Sequence, residues 1–241
     1  MATFNINWGN LDLPDIERTL REAEADLVFI QECNAKSESF FRRRLRRLYP
    51  HMKFRGDRGR YGAERFGFLS NRKLTDLRFT PARHGLFGIC QASLRLDDQQ
   101  VQLINVHLSP FVIPRNATAA QAMAALAQVE GIHQQETQQL VGLIDRNTPT
   151  LVCGDFNSLS TFTAPQRLTQ LSFTDSFGSV TEQPDLTPTW RWPVGRLKIQ
   201  FRIDYIFHSP HFRTTKSQVI NTTGSDHSLV VSELQLTPAG M

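Results

Sequence analysis

The sequence contains little that would indicate a disulfide-stabilised or membrane-embedded protein. Its 241 residues include only three cysteines, Cys33, Cys90 and Cys153, which are too scattered for a disulfide framework and lack the paired spacing of a zinc site. No apolar run approaches the roughly 20 residues needed to cross a bilayer. The longest runs, such as residues 27–30, have the length of a strand. We therefore expect a soluble protein with buried thiols in a reducing compartment and no integral membrane segment.

The sequence also lacks internal repeats, low-complexity segments and any stretch that resembles a linker. Hydrophobic residues make up 40% and charged residues 21% of the chain, which is ordinary for a globular protein and argues against disorder. A chain of this length buries a substantial core without crosslinks. Residues 1–241 are therefore predicted to form a single domain, and we expect a monomer.

Charge of one sign is not in large excess. The net charge of +4 and the isoelectric point near 9.2 mildly favour a polyanionic partner but do not identify one. The first polar residue of a candidate catalytic motif is Asn5, which leaves no room for a secretory signal in this sequence. We expect a cytoplasmic protein, with a longer precursor that carries a removable signal as the alternative.

Hydrophobic patterning predicts a mixture of helices and strands. Early strands are flanked by helical stretches, whereas residues 86–96 and 101–108 fit an antiparallel hairpin. The longest helical stretch covers residues 117–145, with an interruption at Gly131, and residues 158–193 are rich in loop formers. This pattern predicts an α+β fold, a four-layer α/β/β/α sandwich in which two mixed β-sheets pack face to face with helices outside.

Polar residues recur where predicted strands begin or end. Each one alone is more often a turn former or a helix cap than a catalytic group. The set consists of Asn5, Glu32, His107, Asp155, Asn157, Asp204, Asp226 and His227.

These residues lie in six motifs that occur in a recognisable order. The motifs are Phe4-Asn5-Ile6-Asn7, Gln31-Glu32, Asn105-Val106-His107-Leu108, Gly154-Asp155-Phe156-Asn157, Arg202-Ile203-Asp204-Tyr205 and Ser225-Asp226-His227. In this respect the sequence resembles the endonuclease/exonuclease/phosphatase superfamily, which includes exonuclease III-type AP endonucleases, deoxyribonuclease I, sphingomyelinases and inositol polyphosphate 5-phosphatases. The resemblance covers nearly the whole chain and implies a metal-dependent hydrolase acting on phosphate ester bonds.

The resemblance implies a divalent metal site. Asn5 and Glu32 would face each other across adjacent strand ends, and a carboxylate with an amide oxygen suits a hard cation such as Mg²⁺, with Mn²⁺ as a substitute. Glu32 would supply the charge, and Asn5 would orient the site. Asp226 is similar to a residue that joins the metal shell in some relatives, and its alternative role is that of a loop cap.

The resemblance also implies five catalytic residues. Asp155 would align or deprotonate a water for in-line attack, and the amide of Asn157 would donate to a phosphoryl oxygen. Asp204 would fix the tautomer of His227 and favour its cationic form. His107 would donate to the leaving oxygen or to the phosphate, and a structural role for this strand histidine is the alternative.

Two motifs bear on the subclass. His107 stands where exonuclease III-type enzymes usually carry tyrosine, whereas deoxyribonuclease I-like and sphingomyelinase-like branches carry histidine. Residues 202–205 depart from the Trp-Cys-Asp-Arg segment typical of inositol 5-phosphatases. Small bacterial members with Thr-x-x-Trp upstream are closer in appearance, since residues 187–190 match that pattern.

Aromatic and basic residues indicate a substrate-binding rim. Trp190 and Arg191 precede the Asp204 motif and Arg115 follows His107, so these side chains could stack on a base or contact a headgroup. The alternative is that the tryptophan packs this segment onto the core.

The leading hypothesis is therefore a Mg²⁺-dependent phosphodiester hydrolase, an endonuclease or exonuclease that acts on DNA or RNA by metal-assisted in-line water attack. One alternative is a phosphoesterase acting on a phospholipid, an inositol phosphate or another small phosphate ester. A second alternative is a non-catalytic binding protein with the same fold. It predicts the loss of at least one of Glu32, Asp155 and His227, and all three are present.

Overall fold

Helices and strands alternate through the first half of the chain, and strands dominate the second half. The computed structural model describes residues 1–9, 12–56, 65–112, 117–194 and 197–237. Within these ranges the α-helices are α1 (Leu13–Glu22), α2 (Ala35–Arg44), α3 (Ala119–Val141) and α4 (Thr163–Gln170). The strands are β1 (Ala2–Asn5), β2 (Leu27–Gln31), β3 (His51–Gly56), β4 (Arg65–Ser70), β5 (Leu74–Thr80), β6 (Ile89–Leu96), β7 (Gln99–His107), β8 (Thr150–Asp155), β9 (Thr174–Asp175), β10 (Trp190–Val194), β11 (Leu197–Phe201), β12 (Asp204–His208), β13 (Phe212–Ile220) and β14 (Leu229–Leu236).

Most strands belong to two six-stranded mixed sheets. The first has the order β13-β14-β1-β2-β4-β3, the second has the order β5-β6-β7-β8-β12-β9, and β10 and β11 form a separate hairpin. In the first sheet β1 runs parallel to β2 and antiparallel to β14. In the second sheet β7 runs parallel to β8, which is antiparallel to β12. This mixture of directions brings the ends of some strands beside the beginnings of others.

The continuous apolar run of β2 is explained by burial on both of its faces. Leu27 and Phe29 lie in a core cluster that also contains residues of the second sheet, so the two sheets pack face to face. Val28 and Ile30 point the other way, into a cluster that contains Ile16 of α1. A strand covered on both faces reads as an unbroken hydrophobic segment.

Helices cover the outer face of each sheet. Leu20 and Phe41, from α1 and α2, pack against the first sheet, and Leu140 and Leu168, from α3 and α4, pack against the second. The predicted four-layer α/β/β/α sandwich is therefore confirmed. Among the described residues, no helix combines the length and the apolar character needed to cross a membrane.

Two sequence-based predictions about helices need correction. The helix α3 starts at a capping box formed by Thr118 and Gln121, and it continues through Gly131 without the predicted interruption. The loop prediction for residues 158–193 was wrong at α4, which occupies Thr163–Gln170. Pro165 gave this segment the appearance of a loop in sequence. Proline is nevertheless tolerated in the first turn of a helix, because an N–H at that position would have no partner within the helix.

A glycine in β8 is required by its close approach to β7. Gly154 has φ +148°, and a Cβ at this position would lie 2.0 Å from the carbonyl oxygen of Val106.

We expect Gly154→Ala to lower the free energy of unfolding by about 3 kcal/mol or more, because backbone atoms must move. Urea denaturation measures the change. The matched control is Gly131→Ala in α3, where the new methyl group meets nothing within 4 Å and should stabilise by about 0.5–1 kcal/mol. A Gly154→Ala variant as stable as the wild type would contradict the account of this contact.

Candidate active site

The polar residues converge because their strands meet at one edge of the sandwich. β1 ends at Asn5, β7 at His107 and β8 at Asp155, whereas the antiparallel β12 begins at Asp204. The register places His107 opposite Asp155 and Asp155 opposite Asp204, so three polar residues lie in a row across the second sheet. His227 enters the same edge just before β14, the antiparallel neighbour of β1.

Asn5 connects the two sheets at this edge. Its Nδ2 donates to Asp155 Oδ2 at 2.9 Å and to Glu32 Oε1 at 3.0 Å. Its Oδ1 accepts from the backbone N–H of Asn7 at 3.0 Å. A direct metal contact from Asn5 would use this oxygen, so in the structure the amide supports the two carboxylates.

Glu32 lies at the rim of the buried cluster. Its Oε2 accepts from the backbone N–H of Trp8 at 2.9 Å, and its side chain keeps 17% exposure. Burial raises the pKa of the Glu32 carboxyl, and the hydrogen bond from Asn5 opposes that rise. A bound cation would relieve the unfavourable burial of this charge, which fits the predicted role of Glu32 as a metal ligand.

Asp226 is held from two sides. Its Oδ1 accepts from Asn7 Nδ2 at 2.9 Å, and its Oδ2 accepts from the indole Nε1 of Trp190 at 3.1 Å. Asn7 belongs to the first sequence motif, but the sequence indicated no separate role for it. The two hydrogen bonds fix the Asp226 carboxylate near Glu32, where its negative charge contributes to the raised pKa of Glu32.

Two of the three predicted substrate-binding residues are engaged in contacts within the protein. Trp190 retains only 9% exposure, and its ring stacks on Trp192 with centroids 6.1 Å apart. Arg191 donates to the hydroxyl of Ser228, the residue just before β14, at 2.7 Å. Arg115 lies outside the described residues. A role for these three residues in substrate binding stays a prediction.

His227 and Asp204 form the predicted dyad. His227 Nδ1 lies 3.0 Å from Asp204 Oδ2, and His227 Nε2 lies 3.7 Å from Asp155 Oδ2. Burial alone would lower the pKa of His227, but the carboxylates of Asp204 and Asp155 raise it well above the usual range. The neighbouring carboxylates therefore favour the protonated, positively charged form of the ring.

Thr189 supports the dyad from the segment that precedes β10. Its Oγ1 accepts from the backbone N–H groups of Ile203 and Asp204, each at 3.0 Å. Trp190, the next residue, holds Asp226. Thr189 and Trp190, the last two residues of the segment 187–190, thus support two site carboxylates.

Asp155 is oriented by Asn157 as well as by Asn5. The backbone N–H of Asn157 donates to Asp155 Oδ1 at 2.8 Å, and the Asn157 side chain donates to the carbonyl of Leu108 at 3.0 Å. Asn157 thereby connects the end of β8 to the end of β7. The net effect is a raised pKa of the Asp155 carboxyl, because burial outweighs the opposing positive charge of His227.

The backbone at the site adopts conformations that L-residues rarely occupy. Asn7, Glu32 and Asn157 have φ values of 54°, 58° and 44°. A left-handed glutamate costs free energy that surrounding contacts must offset, and such residues cluster at functional sites. Each of the three lies one or two residues beyond a strand end, where the chain turns.

His107 lies beside both principal carboxylates. Its Nε2 is 3.7 Å from Glu32 Oε1 and 3.6 Å from Asp155 Oδ2. The ring stacks on Phe87 with centroids 3.9 Å apart and an interplanar angle of 12°. The sequence did not single out Phe87, since a lone aromatic residue before a strand carries no functional signal.

Two groups of side chains could hold a metal ion. Ligand atoms of Asp155, Asp204 and His227 lie within 4.8 Å of one another. However, a histidine ligand must be neutral, and the charge on His227 opposes cation binding there. Glu32 with Asp226 nearby is the more suitable site for a hard cation, because both side chains offer carboxylate oxygens.

A further buried carboxylate lies behind His107. Glu136 of α3 accepts from the backbone N–H of Ser109 at 3.1 Å and from its hydroxyl at 2.8 Å. Burial raises the pKa of Glu136 to about 7, although the bonds from Ser109 act in the opposite direction.

This pKa predicts a pH-dependent stability. The usual pKa of an exposed glutamate is 4.5, so between pH 4.5 and about 7 the folded state keeps a proton that the unfolded state has lost. The contribution of Glu136 to stability therefore falls as pH rises through this window. The glutamine of Glu136→Gln cannot titrate. We therefore expect the difference in the free energy of unfolding, variant minus wild type, to rise by about 3 kcal/mol between pH 4.5 and about 7. Urea denaturation at a series of pH values measures the difference, and a difference that is constant with pH would refute the assignment.

Comparison with known proteins agrees with this geometry. The model of the Endonuclease/Exonuclease/phosphatase family matches residues 2–227. The fold is similar to an endonuclease/exonuclease/phosphatase from Beutenbergia cavernae DSM 12333, with 18% identity, 99% of this chain and 71% of that chain covered, and a TM-score of 0.72. It is similar to D. rerio TDP2 in complex with a single strand DNA product, with 16% identity, 97% of each chain covered and a TM-score of 0.68. It is also similar to the human Nocturnin catalytic domain with a bound sulfate anion, with 17% identity, 93% of this chain and 86% of that chain covered, and a TM-score of 0.63. No curated protein sequence matches the chain.

Proposed function

Because the chain belongs to the Endonuclease/Exonuclease/phosphatase family, whose members are generally phosphoester hydrolases, we propose that it is a Mg²⁺-dependent phosphodiester hydrolase that acts on nucleic acid. The observation that carries this proposal is the buried array in which His227 lies between Asp204 and Asp155, next to the carboxylate of Glu32.

Asp155 has the geometry of a residue that activates water. Asn5 and Asn157 fix its two oxygens from opposite sides, so the carboxylate cannot turn away from the reacting centre. An ionised carboxylate is only an acceptor, and it can align a water for in-line attack on phosphorus and accept its proton. Attack forms the new P–O bond while the bond to the leaving oxygen breaks.

The two histidines supply positive charge and protons around the phosphate. Asp204 accepts from Nδ1 of His227, which leaves Nε2 to donate to a phosphoryl oxygen. His107 would protonate the leaving oxygen. Glu32, with Asp226, would hold Mg²⁺ or Mn²⁺, which stabilises negative charge on the phosphate when bound.

Nucleic acid is the preferred substrate class for two reasons. One similar structure, D. rerio TDP2, is in complex with a single strand DNA product, and another binds a sulfate anion, which resembles phosphate in charge and shape. The chain also carries a net charge of +4, which favours a polyanion.

Nicking of supercoiled plasmid tests the proposal. The assay contains Mg²⁺ or Mn²⁺, with and without chelator, and compares the wild type with Asp155→Ala purified in the same way. We expect nicking that chelator abolishes and that the variant lacks. Equal nicking by both proteins, or none by either, would remove nucleic acid as the substrate.

Exposed apolar side chains near the site favour a second candidate, a phosphoesterase that acts on a phospholipid or a small phosphate ester. Trp8, Leu86 and Val112 retain 46%, 57% and 78% exposure. Trp8 bonds to Glu32 through its backbone, and Leu86 is next to Phe87. Release of phosphate-containing headgroups from phospholipid vesicles, absent in Asp155→Ala, would identify this activity. A non-catalytic binding protein would bind metal and show neither reaction.

A further inference from the structure

The ring of His107 is held in place from several directions. The carboxylates of Glu32 and Asp155 flank its Nε2, and Phe87 covers one ring face with centroids 3.9 Å apart. Phe87 and His107 sit on different segments, one just before β6 and the other at the end of β7. Their stacking therefore depends on how those two segments are held relative to each other.

One carboxylate of α3 holds both segments. Glu136 accepts from the backbone N–H of Ser109, two residues after His107, with its two oxygens at 3.2 and 3.1 Å. The hydroxyl of Ser109 donates to Glu136 Oε1 at 2.8 Å and accepts from the backbone N–H of Leu86 at 3.0 Å. Leu86 directly precedes Phe87, so the same pair of side chains fixes the chain on both sides of the stack.

Neighbouring residues of α3 reinforce this arrangement. His133, one turn earlier, donates through Nε2 to the carbonyl of Ser109 at 2.8 Å. Gln139, nearly one turn later, accepts from the backbone N–H of Arg83 at 3.1 Å and donates to the carbonyl of Pro81 at 2.8 Å. Polar residues spaced by three along one side of α3 thus hold the segments that carry His107 and Phe87.

The segment before Phe87 has no freedom to move closer to α3. Gly85 has φ +76°, and a Cβ there would lie 2.0 Å from Glu136 Oε1 and 2.4 Å from the hydroxyl of Ser109. The backbone therefore lies directly on the Glu136–Ser109 pair. A shift of the Glu136–Ser109 pair would therefore displace Gly85 and Leu86, and with them Phe87, the next residue in the chain.

We propose that Glu136 is a positioning residue for His107. Acting through Ser109 and residues 85–87, it sets the stacking of Phe87 on the imidazole, and with it the position of His107 relative to Glu32 and Asp155. The kinetic consequence rests on the proposed function, whereas the structural consequence does not. Glu136 makes no contact with substrate in this arrangement, because Ser109 and the 85–87 segment separate it from the site.

The test combines kinetics with the nuclear magnetic resonance of labelled histidine. Glu136→Ala should lower kcat for a phosphodiester by about 30-fold with KM nearly unchanged, because small displacements of a catalytic group are costly. Glu136→Gln keeps an acceptor oxygen and should retain most of kcat. In ¹H–¹⁵N spectra, Glu136→Ala should shift the His107 resonances toward those of Phe87→Leu, which lacks the ring stack.

Gln135→Ala is the matched control. Gln135 is on the same helix and its side chain is exposed, so neither kcat nor the His107 resonances should change. If Glu136→Ala fails to fold, the same measurements are made on Ser109→Ala, which removes only the hydroxyl that bonds to both Glu136 and Leu86.

Unchanged kcat and unchanged His107 resonances in a folded variant would overturn the proposal. If the wild type cleaves no phosphodiester, the proposed function fails, and the His107 resonances alone decide the role of Glu136.

Discussion

Replacing Asp155 by asparagine is expected to lower kcat for phosphodiester hydrolysis by about 10⁴-fold, because the amide cannot accept the proton of the attacking water. The substitution preserves the shape of the side chain and an oxygen that can accept from the backbone N–H of Asn157. It removes the acceptor for the hydrogen bond from Asn5 Nδ2, and we expect the fold to be retained while the chemistry is lost. Initial rates with a fluorescent phosphodiester measure the change.

The matched control is Asp98→Asn. Asp98 lies in the turn between β6 and β7, where its side chain is fully exposed. This variant should keep wild-type activity. An Asp155→Asn protein with a rate within about tenfold of the wild type would show that another group activates the water, since general base catalysis contributes at least about 100-fold.

Replacing Glu32 by glutamine is expected to weaken metal binding by about 100-fold or more, because it removes the negative charge that holds the cation. The variant should need correspondingly more Mg²⁺ or Mn²⁺ for half-maximal activity and should regain part of its rate at high metal concentration. Calorimetric titration with Mn²⁺ gives the affinity without reference to any substrate.

The control for this change is Glu22→Gln at the exposed end of α1, which should bind Mn²⁺ like the wild type. If Glu32→Gln also binds Mn²⁺ with wild-type affinity, Glu32 is not the principal ligand. In that outcome the buried trio of Asp155, Asp204 and His227 becomes the metal site to test.

The convergence of the candidate residues was predictable because they are tied to strand ends. Asn5, His107 and Asp155 each terminate a short apolar run, and a change from apolar to polar at such a point is visible without knowledge of the fold. The chain directions then bring these ends together, since β7 and β8 are parallel and β12 is antiparallel to β8. Local pattern and motif order were sufficient for this part of the structure.

Features that depend on distant contacts were not predictable. The stacking of Phe87 on His107 and the capture of Ser109 by Glu136 join segments that are 20 and 27 residues apart. Trp190 is buried against Phe111 and bonds to Asp226, which are distant from it in the chain. No periodicity or propensity within one segment contains such information.

Edge strands were missed for a different reason. β3 and β5 lie at the edges of their sheets, and several of their residues face solvent. Without a fully buried face they lack the strong alternation or the continuous apolar run that marks a strand in sequence. Interior strands such as β8, which is buried throughout, carried the clearest signal.

The central claim is that this edge of the sandwich hydrolyses phosphodiesters with a divalent metal. The most direct measurement is release of 4-nitrophenol from bis(4-nitrophenyl) phosphate with Mn²⁺, comparing the wild type with a protein that carries Glu32→Gln, Asp155→Asn and His227→Gln together. We predict release by the wild type that chelator abolishes, and none above the uncatalysed rate by the triple variant. Equal release by the two proteins, or release by the wild type that chelator does not affect, would contradict the claim.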